Sequence, residues 1–189
     1  MIAGLSSGLG VGISDQVCFS VMRSTRQLMP LRAAECMRLL HQLRIAAHQE
    51  KLDILAYALV PPQLFVLTNA AQSNLFGELL QRRYQGLLPN EEWSLTHQIL
   101  VSNSEDLYQI AREIEARPSR EGLSLRPEDY RWSSAAAHTG QRIDLTARPH
   151  PIWENCHGEI WASRLHAQLR IECWEFMDQL DSPQKARSY

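Results

Sequence analysis

The stretch "AYALVPPQLFVLTN", residues 56–69, consists of two apolar runs joined by Pro61 and Pro62. Proline offers no N–H to a ladder and fixes φ, so the pair ends one strand and begins another. The tight spacing predicts an antiparallel return. The second run carries a polar side chain, Gln63, and a ring, Phe65, two places apart. Alternate residues of a strand share a face, so these two point the same way. That face is the first candidate site.

Outward from this hairpin, "QVCFSVMRS" (16–24) reads as a strand. After Pro30, Leu31, Ala34, Met37, Leu40, Leu43 and Ala47 recur at helical spacing, with Arg32, Arg38 and Arg44 off the stripe. "LDILAYAL" (52–59) is nearly continuous in apolar character, as a central strand is. Residues 71–88 read as a helix with Leu75, Leu79 and Tyr84 near one face and Arg82 and Arg83 exposed. "SLTHQILVS" (94–102) alternates Leu95, His97, Ile99 and Val101 against Thr96, Gln98 and Leu100. Asn103 or Ser104 caps the next helix, Glu105 and Asp106 suit its dipole, and it ends before Pro118. The order β-α-β-β-α-β-α predicts an α+β sandwich of ferredoxin-like type, with an antiparallel sheet and a C-terminal helical extension. The predicted parts are a flexible leader over 1–15, the α+β domain over 16–146, a proline-broken linker over 147–158 and an amphipathic helix over 159–181. On that last helix Trp161, Leu165, Leu169, Cys173, Phe176 and Leu180 form one stripe.

At 189 residues the chain is long enough for a sizeable core. No apolar run approaches the roughly 20 residues of a membrane helix. The scattered Cys18, Cys36, Cys156 and Cys173 read as reduced thiols, and the expected location is the cytoplasm. The net charge of −2 gives no general basic footprint for nucleic acid. Residues 1–90 nevertheless hold eight Lys/Arg against five Asp/Glu, and residues 91–189 hold eleven against sixteen. All the basic residues except Lys51 and Lys185 are arginines, whose planar forks suit phosphate.

Three segments, in order, resemble the REP-associated single-tyrosine transposases of the HUH endonuclease group. "RPEDYRWSSAAAHTG" (126–140) is similar to that family's closing signature, "REIEARPSREGL" (112–123) to its helix end and turn, and "AYALVPPQLFVL" (56–67) to its strand pair. The resemblance spans roughly 16–146. It implies a histidine pair at the positions of Gln63 and Phe65, which in the family bind a divalent cation that polarises the scissile phosphate. It also implies a nucleophilic tyrosine at the position of Glu113. Phe65 has no lone pair to offer, Gln63 offers one uncharged oxygen, and glutamate does not replace tyrosine as the group that holds the phosphate. Neither Tyr108, on another side of the helix, nor Tyr84, on a different helix, substitutes for it. The expectation is a degenerate member without a catalytic residue and without a cofactor, Mg²⁺ or Mn²⁺ entering only with residual activity.

Phe65 reads as a core ring, Glu113 as a solvated helix residue, Trp132 as a core anchor and His138 as a structural residue near Trp132. His150, Cys156 and His157 match no zinc spacing, so no metal is expected. The leading function is a regulator or structural binder of hairpin or single-stranded DNA. Arg23, Arg26, Arg82, Arg83 and Arg131 are its candidate phosphate contacts. The alternative is a protein-interaction module without nucleic-acid binding, and the third reading is an active transposase. The Trp161/Leu165/Leu169/Phe176/Leu180 stripe needs a partner surface. A homodimer is preferred to docking on its own domain. The sequence names neither a DNA target nor a protein partner.

Overall fold

A computed structural model describes residues 17–25, 31–69, 73–88, 92–101 and 104–147. The leader, Arg26 and everything from residue 148 onward, including the His150/Cys156/His157 cluster and the C-terminal stripe, lie outside the described residues.

The elements run β1 (Val17–Ser24), α1 (Ala33–Gln49), β2 (Ile54–Val60), β3 (Gln63–Asn69), α2 (Ser73–Tyr84), β4 (Trp93–Val101) and α3 (Ser104–Arg120). A 3-10 turn at Pro127–Asp129 and a short helix, α4 (Ala135–His138), follow. The four strands form one sheet in the order β2-β3-β1-β4, every neighbour antiparallel. This is the α+β, ferredoxin-like arrangement the element order predicts. β2 and β3 close tightly, Val60 opposite Gln63, through a cis Pro61–Pro62 peptide bond. Among the described residues no helix is long and apolar enough to cross a membrane.

Both faces of the sheet are covered. On one, α1 and α2 bury Leu39, Leu43, Phe76, Leu80 and Tyr84 against Tyr57, Leu64, Val66 and Trp93. Tyr84 donates its hydroxyl to the Leu39 carbonyl at 2.9 Å, and its ring meets Trp93 edge-on. The helices come close to the strands here. A Cβ added to Gly77 would lie 2.7 Å from the Leu95 side chain. On the other face, α3 lays Leu107, Ile110, Ala111 and Ile114 over Val17, Phe19, Val21, Phe65 and Leu67. The outer edge of β2 is covered by residues 130–134. Leu59 N–H donates to the Trp132 carbonyl, Ser134 N–H to the Tyr57 carbonyl, and the Tyr130 hydroxyl to the Leu59 carbonyl. An unpaired edge invites association, and the closing signature removes this one.

Several expectations are corrected. Met37, placed on the α1 stripe, is 51% exposed, and the buried row is Cys36, Leu39, Leu40, Leu43, Ala46 and Ala47. The sequence pattern counts Met as core and Cys as a thiol, which turned the stripe by about one residue. On α2 the core row is Phe76, Leu80 and Tyr84, with Leu79 half-buried. In β4 the expected single stripe is split. His97 opposes Val21 and Leu95 opposes Met22, so a bulge at Thr96 moves Leu95 to the α1/α2 face. One inserted residue reverses every side chain beyond it. Finally, α3 does not stop before Pro118 but continues to Arg120 with Pro118 inside it. Proline costs a helix one hydrogen bond and a clash, yet here the last turn is held by packing and ion pairs.

Candidate functional site

The face that Gln63 and Phe65 share lies under α3. Gln63 is opposite Arg23 on β1 and Phe65 opposite Val21, and Val21 packs in the cluster beneath α3. The two side chains are 6% and 1% exposed. Phe65 is therefore the core ring that the sequence suggests.

Above them α3 carries a charged row. Glu113, Arg117 and Arg120 fall at intervals of four and three residues, which is one helix face. Glu113 is 2% exposed and Arg117 7%. Arg120 grips Glu113 with both terminal nitrogens, Nη1 on Oε2 and Nη2 on Oε1, each side chain 3% exposed. The Arg117 guanidinium carbon lies 5.1 Å from the centre of the Phe65 ring, and its Nε donates to Glu121 at 2.6 Å. The reading of Glu113 as a solvated residue is overturned. A charge buried this deeply needs a paired and hydrogen-bonded partner, and the bidentate fork supplies it. The missed signal was the spacing of Arg120 from Glu113, two turns apart. It was hidden by ending the helix at Pro118.

A second buried junction ties the closing signature to α3. Glu115 is fully buried, and its Oε1 meets both the Ser134 hydroxyl and His138 Nδ1. Ser134 Oγ also accepts from the Tyr57 N–H at 3.0 Å. His138 thus has its anchor on α3. Trp132 is half-buried against the α1/α2 cluster, as a core anchor should be. Both Ser134 and His138 converge on one carboxylate oxygen, so neither activates the other. The junction fastens α4 across the end of β2.

The donors on the Gln63/Phe65 face do not fit the divalent cation that the resemblance implies. Phe65 has no ligand atom, and the group lying over it is itself a cation. Among the described residues no cluster of three or more His, Cys, Asp or Glu is placed to hold a metal ion. Tyr108 packs partly buried against the α3-side cluster.

The candidate phosphate contacts separate. Arg23 and Arg131 are exposed near the Pro61–Pro62 end of the sheet. Ser24 N–H donates to the Pro62 carbonyl, and Arg131 lies between the two residues that bond Leu59. The Arg131 guanidinium carbon is 4.8 Å from the centre of the Trp132 ring. Arg82 is exposed on α2 and approaches Glu78 at 3.7 Å. Arg83 is not the exposed residue expected. It reaches across to α1, donating to Gln42 Oε1 at 3.0 Å and to Gln49 Oε1.

No family model matches the chain, and no curated protein matches it in sequence. Two solved structures match the chain to different degrees. One is a REP-associated tyrosine transposase bound to a REP hairpin, with a TM-score of 0.56 and 11% identity over 72% of this chain and 93% of that one. The other is tRNA(His) guanylyltransferase from Saccharomyces cerevisiae, with a TM-score of 0.41 and 8% identity over 83% of this chain and 79% of that one. The first supports a distant relationship of fold.

Proposed function

We propose that this chain is a transposase-derived protein that binds hairpin or single-stranded DNA and has lost DNA cleavage and strand transfer. It serves as a regulator or structural binder. The observation that carries the loss of chemistry is the buried lattice over the sheet. Arg120 holds Glu113 on both oxygens and Arg117 covers Phe65, at positions the resemblance assigns to the nucleophile and a metal ligand. An enzyme of this class needs open space there for a phosphate, a cation and an attacking oxygen. This lattice occupies that space with a paired guanidinium and carboxylate and with a second guanidinium over the ring.

DNA binding is supported by the shared fold with a transposase bound to a REP hairpin and by the exposed Arg23, Arg82 and Arg131. The Arg131–Trp132 pair offers a guanidinium plane and an aromatic edge together, a combination suited to unpaired bases and their phosphates. Labelled hairpin DNA incubated with the purified protein and Mg²⁺ or Mn²⁺ is expected to give no covalent adduct and no cleavage above a mock preparation. Either product overturns the loss of chemistry. Binding to the same hairpin should weaken steeply with salt, each phosphate contact adding roughly 0.7–0.9 to the slope of log K against log salt.

A second reading, a protein-interaction module, is favoured by large apolar side chains left in water. Leu125 is 94% exposed, Ile143 90% and Leu145 77%. It is selected if no hairpin or single strand binds at low salt.

A further inference from the structure

A groove of about 410 Å³ opens between α1 and the segment that runs beside the start of β2. Its rim on α1 is His41, Arg44 and His48, at intervals of three and four residues on one helix face. Its floor is apolar, with Ile45, Leu52 and Ile54, and Leu145 stands at its edge. The strap along its other side is firmly held. Tyr57 donates its hydroxyl to Asp144 Oδ2 at 2.6 Å, Thr146 N–H donates to Asp144 Oδ1 at 2.7 Å, and Ala147 pairs in parallel with Ile54. Asp144 and Ala147 point inward, while Ile143 and Leu145 stand in solvent. An apolar floor with a basic rim and two exposed aliphatic side chains is a surface built to be covered.

We propose that the groove receives the chain's own segment 159–181, laid in by its apolar stripe. Two observations select this occupant. The chain continues from Ala147, and Ala147 is paired with a residue of the groove wall, so the following residues begin at the groove itself. The fourteen residues from Ala147 to Trp161 span up to about 45 Å when extended, so reach is no obstacle. The second observation is charge. At 100° per residue, Glu175 lies just outside the stripe of Trp161, Leu165, Leu169, Phe176 and Leu180 on its Trp161 side, and Glu172 lies within that side, between Trp161 and Leu165. Residues 171–181 include Glu172, Glu175, Asp178 and Asp181 and not one Lys or Arg. An apolar stripe with carboxylates along its Trp161 side complements an apolar floor flanked on one side by Arg44 and two histidines. This docking is independent of DNA binding and leaves the Arg23 and Arg131 surface open.

The test uses the full-length chain with the photoreactive residue p-benzoylphenylalanine in place of Leu145, irradiated as a mixture of isotopically heavy and light protein. The expected cross-link joins position 145 to a peptide within 159–181 of the same chain. A heavy-to-light cross-link assigns the groove to a second copy and overturns the proposal. So does capture of a peptide outside 159–181, or no capture at all. In the same background Arg44→Glu should lower the yield severalfold, and Arg44→Glu with Glu172→Arg should restore it. An unchanged yield in Arg44→Glu, or failure of Glu172→Arg to restore a lowered one, removes the charge match from the argument and rejects the orientation proposed here.

Discussion

On one face of the sheet α1 and α2 meet the strands with Leu39, Leu43, Phe76 and Leu80, and the buried polar groups there, such as Ser20, Thr68 and the Tyr84 hydroxyl, carry no charge. On the other face α3 meets the same strands with a mixed surface. Ile110 and Ile114 pack like any core, but Glu113, Glu115, Arg117 and Arg120 are also buried there. The two faces hold the fold by different physics. Apolar burial contributes about 25 cal/mol per Å² and tolerates inexact neighbours. Buried ions contribute little net stability, but each one demands its partner. A face made of such pairs is therefore specific about what fills it, whereas the apolar face is specific mainly about volume.

The largest expected effect breaks a pair on the α3 face. Arg120→Ala leaves the Glu113 carboxylate buried and uncompensated, and should cost about 3–5 kcal/mol. Replacing both partners, Glu113→Leu with Arg120→Met, should return most of that loss and can end more stable than the parent. Urea denaturation of the three proteins gives the comparison directly. A single variant that costs under about 1 kcal/mol would mean that the pair is solvated and the α3 face is open.

The matching experiment on the apolar face is Leu43→Ala, for which about 2–5 kcal/mol is expected from lost transfer energy and the cavity left behind. Here no second substitution opposite should rescue the loss unless it refills volume. Rescue by refilling on this face and by removing both charges on the other would establish the contrast. Rescue by the same remedy on both would break it.

How much of this was legible in the chain follows from the same contrast. The strands and helices, the hairpin at Pro61–Pro62 and the burial of Phe65 were readable, because apolar periodicity and proline chemistry report local structure and transfer free energy. The common face of Gln63 and Phe65 followed from strand alternation alone. The burial of Glu113 was not readable, because a buried ion pair looks like two surface residues until both are placed on one helix. Pro118 reads as a helix stop, which leaves Arg120 outside the expected helix. The bulge at Thr96 was equally hidden, since "SLTHQILV" alternates well in either register. Neither Gln42 nor Gln49 marked Arg83 as a bridge between helices.

High pH should loosen the apolar face before the charged one. Burial, with a smaller push from Glu35, raises the Cys36 thiol to about 11 from an ordinary value of 9.0. Burial likewise raises the Tyr84 hydroxyl, and burial with the Asp144 carboxylate raises that of Tyr57. Below the ordinary values both folded and unfolded chains keep these protons, and the neutral groups favour the fold in full. As pH rises past 9 the unfolded chain releases the Cys36 proton and the folded chain does not, so the folded state is progressively disfavoured until its own thiol ionises. The tyrosines extend the loss above the ordinary value of 10. Stability measured from pH 7 to 11 should fall from about 9 upward, and Cys36→Ala with Tyr84→Phe should flatten that fall. An unchanged profile in the double variant would place the alkaline limb elsewhere.

The smallest effect separates two neighbours that the sequence presents as one pair. Arg83 donates across the helix interface to Gln42 and Gln49, and Arg83→Ala should cost roughly 0.5–1.5 kcal/mol for those bonds. Arg82 is 68% exposed, with Glu78 at 3.7 Å as its nearest ion partner. A surface pair of that kind contributes little, so Arg82→Ala should change stability by under about 0.5 kcal/mol. Its effect should appear instead in hairpin binding, as a salt dependence shallower by roughly one phosphate contact. The two residues then divide the labour. One holds α1 to α2, and the other faces outward from the apolar half of the molecule toward the ligand. If Arg82→Ala lowers stability as much as Arg83→Ala and leaves the salt slope unchanged, the exposed arginine is structural too. The proposed DNA contacts would then shrink to the Pro61–Pro62 end of the sheet, at Arg23 and Arg131.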